Sequence, residues 1–191
     1  MKKLRKSFLF DQDFCIGCKA CEVACQTYHK QEPEINWRKV DEYEVVQNGN
    51  IKSLFLTHSC NHCENPICAE VCPTEAYTVR EDGIVELNRD KCIGCGYCAQ
   101  SCEYNAITLL GQENKAQKCN MCSERVDRGE QPACVRACPM GVLSIIETDL
   151  ADRASMEKEV IGFKANSYVP STRFYPKFVT GMKRKEFTIK I

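Results

Sequence analysis

Sixteen cysteines in a chain of 191 residues fall into four groups of four, and their spacing constrains the fold more than any other feature. The first group, residues 15–25, and the third, residues 92–102, both follow a C-x2-C-x2-C-x3-C run. The second group, residues 60–72, and the fourth, residues 119–138, stretch this run and end in a Cys-Pro step. No cysteine is left over, so the sequence predicts four sites with four thiolate ligands each.

The unstretched run is typical of [4Fe-4S] ligands in bacterial-type ferredoxins, and the Cys-Pro step closes the same pattern. Thiolates spaced two residues apart reach three corners of a cubane when the backbone curls around it. Gly17, Gly94 and Gly96 suit this curl, because glycine adopts positive φ without a Cβ clash. The fourth cysteine lies three residues further along, so we expect it to serve the neighbouring cluster. The sequence therefore predicts four [4Fe-4S] clusters.

Disulfide and zinc frameworks are the alternatives for so many cysteines. The chain does not open on an apolar signal segment, which disfavours a secreted disulfide framework. Paired C-x2-C units with His29, His58 and His62 nearby would suit zinc. A zinc site has no use for a third cysteine two residues later or for a Cys-Pro exit, so we expect these histidines not to be ligands.

Charge and composition limit the classes of function. With 26 basic and 26 acidic side chains the formal charge is zero, which gives no electrostatic case for nucleic-acid binding. Sixteen thiolates around four oxidised clusters would leave the loaded protein at about −8, so we expect basic residues close to the clusters. Aromatic residues make up only 8% of the chain, so the clusters should replace part of the core. Folding should then be coupled to cluster assembly.

The chain has no run of 18 apolar residues, so no transmembrane segment of its own is predicted. Its basic start, residues 1–7, precedes too short an apolar stretch for a secretory signal and holds no twin-arginine pair. We expect a protein that is cytoplasmic or peripheral on the membrane. Export as a passenger with a signal-bearing partner is compatible with this sequence.

Two short alternating runs joined by Asp82-Gly83 separate the second and third cysteine groups and predict a β-hairpin. A two-cluster ferredoxin has this layout, in which a hairpin separates two cysteine groups. Residues 51–110 are therefore predicted to form one ferredoxin-like unit, which ends in an apolar strand at residues 106–110.

The first and fourth groups are predicted to form a second, discontinuous unit from residues 1–30 and 111–148. In this unit Phe8-Leu9-Phe10 should pair with the strand that follows Cys138-Pro139. One copy of the repeat is thus inserted in the other.

The nesting predicts which cysteines share a cluster, and it places the four clusters in a string with two in each unit. The predicted ligands are Cys15, Cys18, Cys21 and Cys138 for cluster 1; Cys119, Cys122, Cys134 and Cys25 for cluster 2; Cys60, Cys63, Cys68 and Cys102 for cluster 3; and Cys92, Cys95, Cys98 and Cys72 for cluster 4.

The remaining segments complete an α+β fold of two nested bacterial ferredoxin-like units with short antiparallel strands and short helices. Alternating runs around Asn48-Gly49 predict a hairpin, which we assign to an insertion at residues 31–50. Residues 149–191 lack cysteine, and the prolines and aromatics of 168–178 indicate an extended C-terminal arm. Such an arm docks either on another protein or across its own domain.

The cysteine pattern resembles that of the iron-sulfur subunits of the dimethyl sulfoxide reductase type, which include those of polysulfide and thiosulfate reductases. The similarity covers residues 8–147 and is strongest at Cys60-Asn-His-Cys63-Glu-Asn-Pro66-Ile-Cys68 and Arg80-Glu-Asp-Gly83. Because every cysteine is present, the resemblance implies four [4Fe-4S] clusters. It also implies a large molybdopterin or tungstopterin catalytic subunit and an integral membrane, quinone-linked subunit as partners.

The sequence offers no glycine-rich nucleotide loop, no paired carboxylates for acid-base chemistry and no open metal site. We therefore expect a non-catalytic subunit that relays single electrons between the pterin subunit and the membrane anchor or another redox partner. A soluble polyferredoxin-like carrier for hydrogenase or formate dehydrogenase is the first alternative. A zinc-stabilised interaction module is the second.

Overall fold

The computed structural model describes residues 4–47, 49–109, 113–154 and 156–176 and consists of short elements. Among the described residues, none of the helices combines the length and the apolar character that a membrane crossing requires. In chain order the elements are β1 (Arg5–Phe10), α1 (Ala20–Tyr28), β2 (Lys39–Gln47), β3 (Asn50–His58), α2 (Ile67–Glu70), β4 (Tyr77–Val79), β5 (Val85–Leu87), α3 (Tyr97–Ser101), α4 (Ser123–Asp127), α5 (Ala133–Arg136), β6 (Leu143–Thr148), α6 (Leu150–Ala154) and β7 (Arg173–Phe174).

The central sheet has the strand order β6-β1-β7. β1 pairs antiparallel with β6, and Phe8 faces Ile145 while Phe10 faces Leu143. The predicted pairing of Phe8-Leu9-Phe10 with the strand after Cys138-Pro139 is therefore confirmed. All residues from Ser7 to Phe10 are buried, so this pairing brings the start of the chain into the core.

Both predicted hairpins are present. β4 pairs with β5, and Gly83 in their turn has a φ of 86°, which an L residue seldom adopts. β2 pairs with β3 from Lys39 opposite His58 to the turn, although Asn48 itself lies outside the described residues.

The predicted strand at residues 106–110 is reduced to a single bridge between Thr108 and Gln117. Lys118 and Cys119, the residues that follow Gln117, are buried in the interior instead of extending the ladder. Leu110, the last residue of the predicted strand, lies outside the described residues.

The described part of the C-terminal arm lies across its own domain. β7 pairs parallel with β1, and Phe174 is 1% exposed. Ser171 donates its backbone N–H to the carbonyl oxygen of Asn61 at 3.0 Å and its hydroxyl to that of His62 at 2.6 Å. The arm therefore covers the backbone around the second cysteine group, and residues 177–191 lie outside the described range.

One carboxylate ties the arm to this region. Glu64 forms ion pairs with Arg153 and, at 3.5 Å, with Arg173. The two arginine side chains are 1% and 3% exposed, and burial lowers the pKa of both. Two desolvated cations thus share one carboxylate.

Glu64→Gln is expected to lower the free energy of unfolding by about 2–3 kcal/mol, because it leaves buried guanidinium charges without a carboxylate. The figure is below that of a fully buried pair because the Glu64 side chain is 26% exposed. Denaturant unfolding of the cluster-loaded protein under argon measures it. Asp127→Asn is the control, since Asp127 pairs with Arg80 but is 52% exposed, and its effect should stay within ~1 kcal/mol. Equal effects of the two variants would contradict the prediction.

Candidate metal centres

The cysteine groups occupy tight loops that lead into short helices. Gly17, Gly94 and Gly96 have φ values of 67°, 72° and 82°, as the predicted backbone curl requires. One cysteine of each group, or two in the first, then lies on a helix: Cys21 and Cys25 on α1, Cys68 on α2, Cys98 on α3 and Cys134 on α5. The loops and helices together turn most of the thiols inward.

The structure brings the four cysteines predicted for cluster 3 to one cavity of about 410 Å³, lined by Cys60, Cys63, Cys68 and Cys102. Burial raises the pKa of the Cys63 thiol to about 12, and the neighbouring Cys60, Cys102 and Cys68 add to the rise. Cys102 belongs to the third group, so this cavity joins two groups that are separate in sequence.

A second cavity, of about 310 Å³, is lined by Cys72, Cys92, Cys95 and Cys98, the set predicted for cluster 4. Burial raises the pKa of Cys98, and Cys92 and Cys95 are among its charged neighbours. Cys72 arrives here from the second group. The two cavities therefore exchange their fourth cysteines.

The cysteines predicted for cluster 1 also converge. Burial raises the pKa of Cys15, and the charged neighbours that raise it further are Cys21, Cys138 and Cys18. Cys138 comes from the fourth group, so its proximity to Cys15 joins the start of the chain to the segment before β6.

The set predicted for cluster 2 lies where α1 packs against α5. Burial raises the pKa of Cys25 far above its usual range, and the thiols of Cys119 and Cys134 contribute most after burial. Burial likewise raises the pKa of Cys122 to about 12, with Cys119 and Cys134 again as neighbours. Cys25 thus faces cysteines of the fourth group.

Backbone donors point at several of the sulfur atoms, and hydrogen bonds to sulfur are among the factors that set the potential of a cluster. Backbone N–H groups point at Cys72 from Ala76 and at Cys92 from Ala116, both at 3.4 Å. Met121 donates in the same way to Cys119 at 3.3 Å. Cavities lined by four thiols and bordered by amide donors fit a cubane held by cysteinate.

The three histidines lie beside the cysteines with different partners. His29 Nε2 is 3.3 Å from the Sγ atom of Cys122, and His58 Nε2 is 2.9 Å from Asp41 Oδ2. His62 is fully buried, and its Nδ1 accepts a hydrogen bond from the backbone of Val85 at 3.0 Å.

Two buried cations lie close to the thiols, Arg38 at 2% exposure and Lys118 at 3%. The expectation of basic residues near the clusters was general and did not identify either of them. Lys118 directly precedes Cys119, and this adjacency is a signal that the sequence contains. Arg38 is remote in sequence from every cysteine group, and the fold alone brings it there.

The four sets of cysteines follow one another through two shared cores. The main core joins Cys21 of the first set, Cys134 of the second and Cys60 of the third. A smaller core joins Cys68 of the third set to Cys98 of the fourth. Of the sixteen cysteines, all of which are described, only Cys18 and Cys95 are exposed, and they belong to the first and the last set.

Gly94→Ala is expected to weaken cluster 4, because a Cβ at this position would lie 2.7 Å from the backbone oxygen of Asn114. Gly96→Ala is a matched control in the same loop, with a similar positive φ but nearest neighbours at 3.8 Å. Both variants carry the cost of a left-handed alanine, about 1 kcal/mol. Iron content and thermal stability should therefore fall further in Gly94→Ala. Equal losses would show that the contact with Asn114 is not limiting.

Comparison with known proteins identifies iron-sulfur domains in this chain. Two models of the 4Fe-4S dicluster domain match residues 51–148 and 14–76. One component of the anaerobic dimethyl sulfoxide reductase of Escherichia coli is 40% identical over 144 residues, which is 71% of this chain and 70% of that protein. The iron-sulfur subunit of nitrate-inducible formate dehydrogenase of Escherichia coli is 33% identical, over 91% of this chain and 64% of its own length. One subunit of the tetrathionate reductase of Salmonella typhimurium is 41% identical, over 72% and 56%.

Two dicluster domains and sixteen cysteines imply four [4Fe-4S] clusters, which confirms the predicted cofactors. Iron-sulfur clusters, not zinc, therefore account for the cysteines.

Proposed function

The chain is a member of the 4Fe-4S dicluster family, with iron-sulfur subunits of oxidoreductases among its relatives, and on this premise we propose that it relays electrons through four clusters in series. The observation that carries the proposal is the succession of the four thiol sets through two shared cores, with one exposed cysteine in the first set and one in the last. When bound, each cluster accepts and returns one electron. The residues of the chain hold the clusters in order and exclude water from the inner two.

The ligand assignment is part of the proposal. There are two ferredoxin-like units, residues 51–110 and residues 1–30 with 111–148, and within each unit the two clusters exchange their fourth cysteines. Cys138 thus completes cluster 1, Cys25 cluster 2, Cys102 cluster 3 and Cys72 cluster 4. The two lined cavities and the thiol neighbours described above support this assignment.

The partners that we propose are a large molybdopterin or tungstopterin catalytic subunit and an integral membrane, quinone-linked subunit. Support comes from relatives that are named as one component of a reductase or dehydrogenase. Catalysis on a terminal substrate then belongs to another chain. This chain would be held in the cytoplasm or at the membrane surface by its partners.

Anaerobic purification from the native host at native expression level, with identification of every copurifying chain, tests this proposal. A stoichiometric large pterin-binding chain is the expected result. Recovery of a free monomer with four clusters would contradict the assignment as a subunit and favour the alternative function as a polyferredoxin-like carrier. A colourless zinc protein without acid-labile sulfide would end the iron-sulfur assignment itself.

A further inference from the structure

Arg38 is a buried cation whose hydrogen-bond partners are all neutral in the described part of the chain. Its guanidinium donates to Thr57 Oγ1 at 3.1 Å and to Ser59 Oγ at 2.9 Å, while Nε has no hydrogen-bond partner there. The charge also lies over the Phe8 ring, 4.5 Å from its centroid. Among the described residues no carboxylate forms an ion pair with Arg38. A desolvated charge of this kind needs an anion nearby.

The nearest candidates for that anion are cysteine sulfurs. Thr57 Oγ1, which accepts from Arg38, lies 3.4 Å from Cys21 Sγ. Burial on its own lowers the pKa of Arg38, but four neighbouring cysteines raise it above its usual range: Cys134, Cys119, Cys21 and Cys25. Three of these four belong to the set assigned to cluster 2. Arg38 therefore lies among cysteines of clusters 1 and 2, and most of them belong to cluster 2.

Lys118 is a second cation of the same kind. Its Nζ atom donates to the carbonyl oxygens of Val85 and, at 2.9 Å, of Cys119. Among the described residues no carboxylate forms an ion pair with it. Val85 lines the cavity assigned to cluster 3, and the charge of Lys118 opposes the rise that burial causes in the pKa of Cys68 in that cavity. Each inner cluster thus has one buried cation beside its cysteines.

Building on the function proposed above, we propose that Arg38 and Lys118 are the counter-ions of clusters 2 and 3 and raise their reduction potentials. Reduction adds one negative charge, with the electron supplied by a redox partner and passed to the next cluster, and no bond forms or breaks. Burial alone disfavours the added charge, whereas a fixed cation stabilises it, and screening inside the protein is weak. The two cations therefore keep the buried clusters reducible.

EPR-monitored redox titration of the anaerobic complex tests the proposal with Arg38→Met and Lys118→Met, which remove the charge and keep most of the side-chain volume. Each variant is expected to shift the oxidised-to-reduced equilibrium of its own cluster at least tenfold toward the oxidised form, a lowering of 59 mV for one electron. Cluster 4 should not move. Arg38→Lys should restore most of the potential of cluster 2, and Lys52→Met, at an exposed position on β3, should change none.

Iron and sulfide analysis accompanies every titration. Loaded variants whose four potentials match the wild type overturn the proposal, as does a uniform shift of all clusters. If Arg38→Met loads fewer than four clusters, the potentials of Lys118→Met decide whether the proposal stands. If neither variant loads four clusters, the two cations have a structural role, and the proposal is again overturned. Unshifted potentials in an intact complex leave the proposed relay standing. If the potentials shift as expected but the chain purifies without partners, the counter-ion proposal stands and the proposed function as a subunit is overturned.

Discussion

Cys25→Ser is expected to destroy cluster 2, or convert it to a three-iron form, while cluster 1 stays intact, although Cys25 belongs to the first cysteine group. The reason is the position of Cys25 on α1, where it is 3% exposed and has Cys119 and Cys134 as its main thiol neighbours. Serine is a poor replacement for a cluster thiolate, so the iron at that corner loses its ligand.

Anaerobic purification followed by iron analysis and EPR measures the outcome. The matched control is Cys138→Ser, which removes the reciprocal crossing residue and should damage cluster 1 instead. In a local scheme, where each group binds its own cluster, Cys25→Ser and Cys18→Ser would alter the same EPR signal. Observation of that common signal would refute the crossed ligation and with it the nesting of the two units.

The parts of the fold that the sequence predicts are those that local chemistry dictates. Cysteine spacing implies loops that must curl, and Asp82-Gly83 encodes a tight turn between two strands. The pairing of Phe8-Leu9-Phe10 with β6 was also predictable, because nesting requires the two ends of the outer unit to meet.

What the sequence does not contain is the packing between distant segments. Arg38 reaches the thiols because the β2-β3 hairpin carries it there, and no spacing rule reports this contact. Packing between distant segments also explains why the predicted strand at residues 106–110 is reduced to a single bridge at Thr108. Burial of Lys118 competes with continuation of the strand. The sequence also did not decide whether the C-terminal arm lies on its own domain. The ion pairs that hold the arm join Glu64 to Arg153 and Arg173, which are far from it in sequence.

The same contacts explain why the thiols need their clusters. The main core combines Phe8, Phe10 and Leu143 with buried Cys60, Cys119 and Cys134, so cysteines occupy positions that apolar side chains hold in other small proteins. A smaller core is built around Cys68 and Cys98. In the loaded protein these sulfurs are joined through iron, and each cluster links segments that are distant in sequence.

Removal of iron is therefore expected to abolish cooperative folding. In the part of the chain that the structure describes, the longest helix and the longest strands have nine residues each, which is too short for independent stability in water. Binding of one structural metal contributes on the order of 10 kcal/mol in small domains, as much as the whole stability of a typical protein of ~5–15 kcal/mol. Without the clusters, no iron links the four thiols that line each of these two cavities.

The measurement is far-UV and near-UV circular dichroism with a dye that binds exposed apolar surface, before and after anaerobic oxidation in the presence of a chelator. Loss of near-UV signal and of a cooperative melt is expected, and reconstitution with iron and sulfide should restore both. Burial raises the pKa of Cys63, Cys68 and Cys122 to about 12, and iron binds the thiolate, so assembly releases protons and should be favoured as the pH rises. A cluster-free chain that still melts cooperatively would show that apolar contacts such as Phe10 against Phe174 suffice to hold the fold.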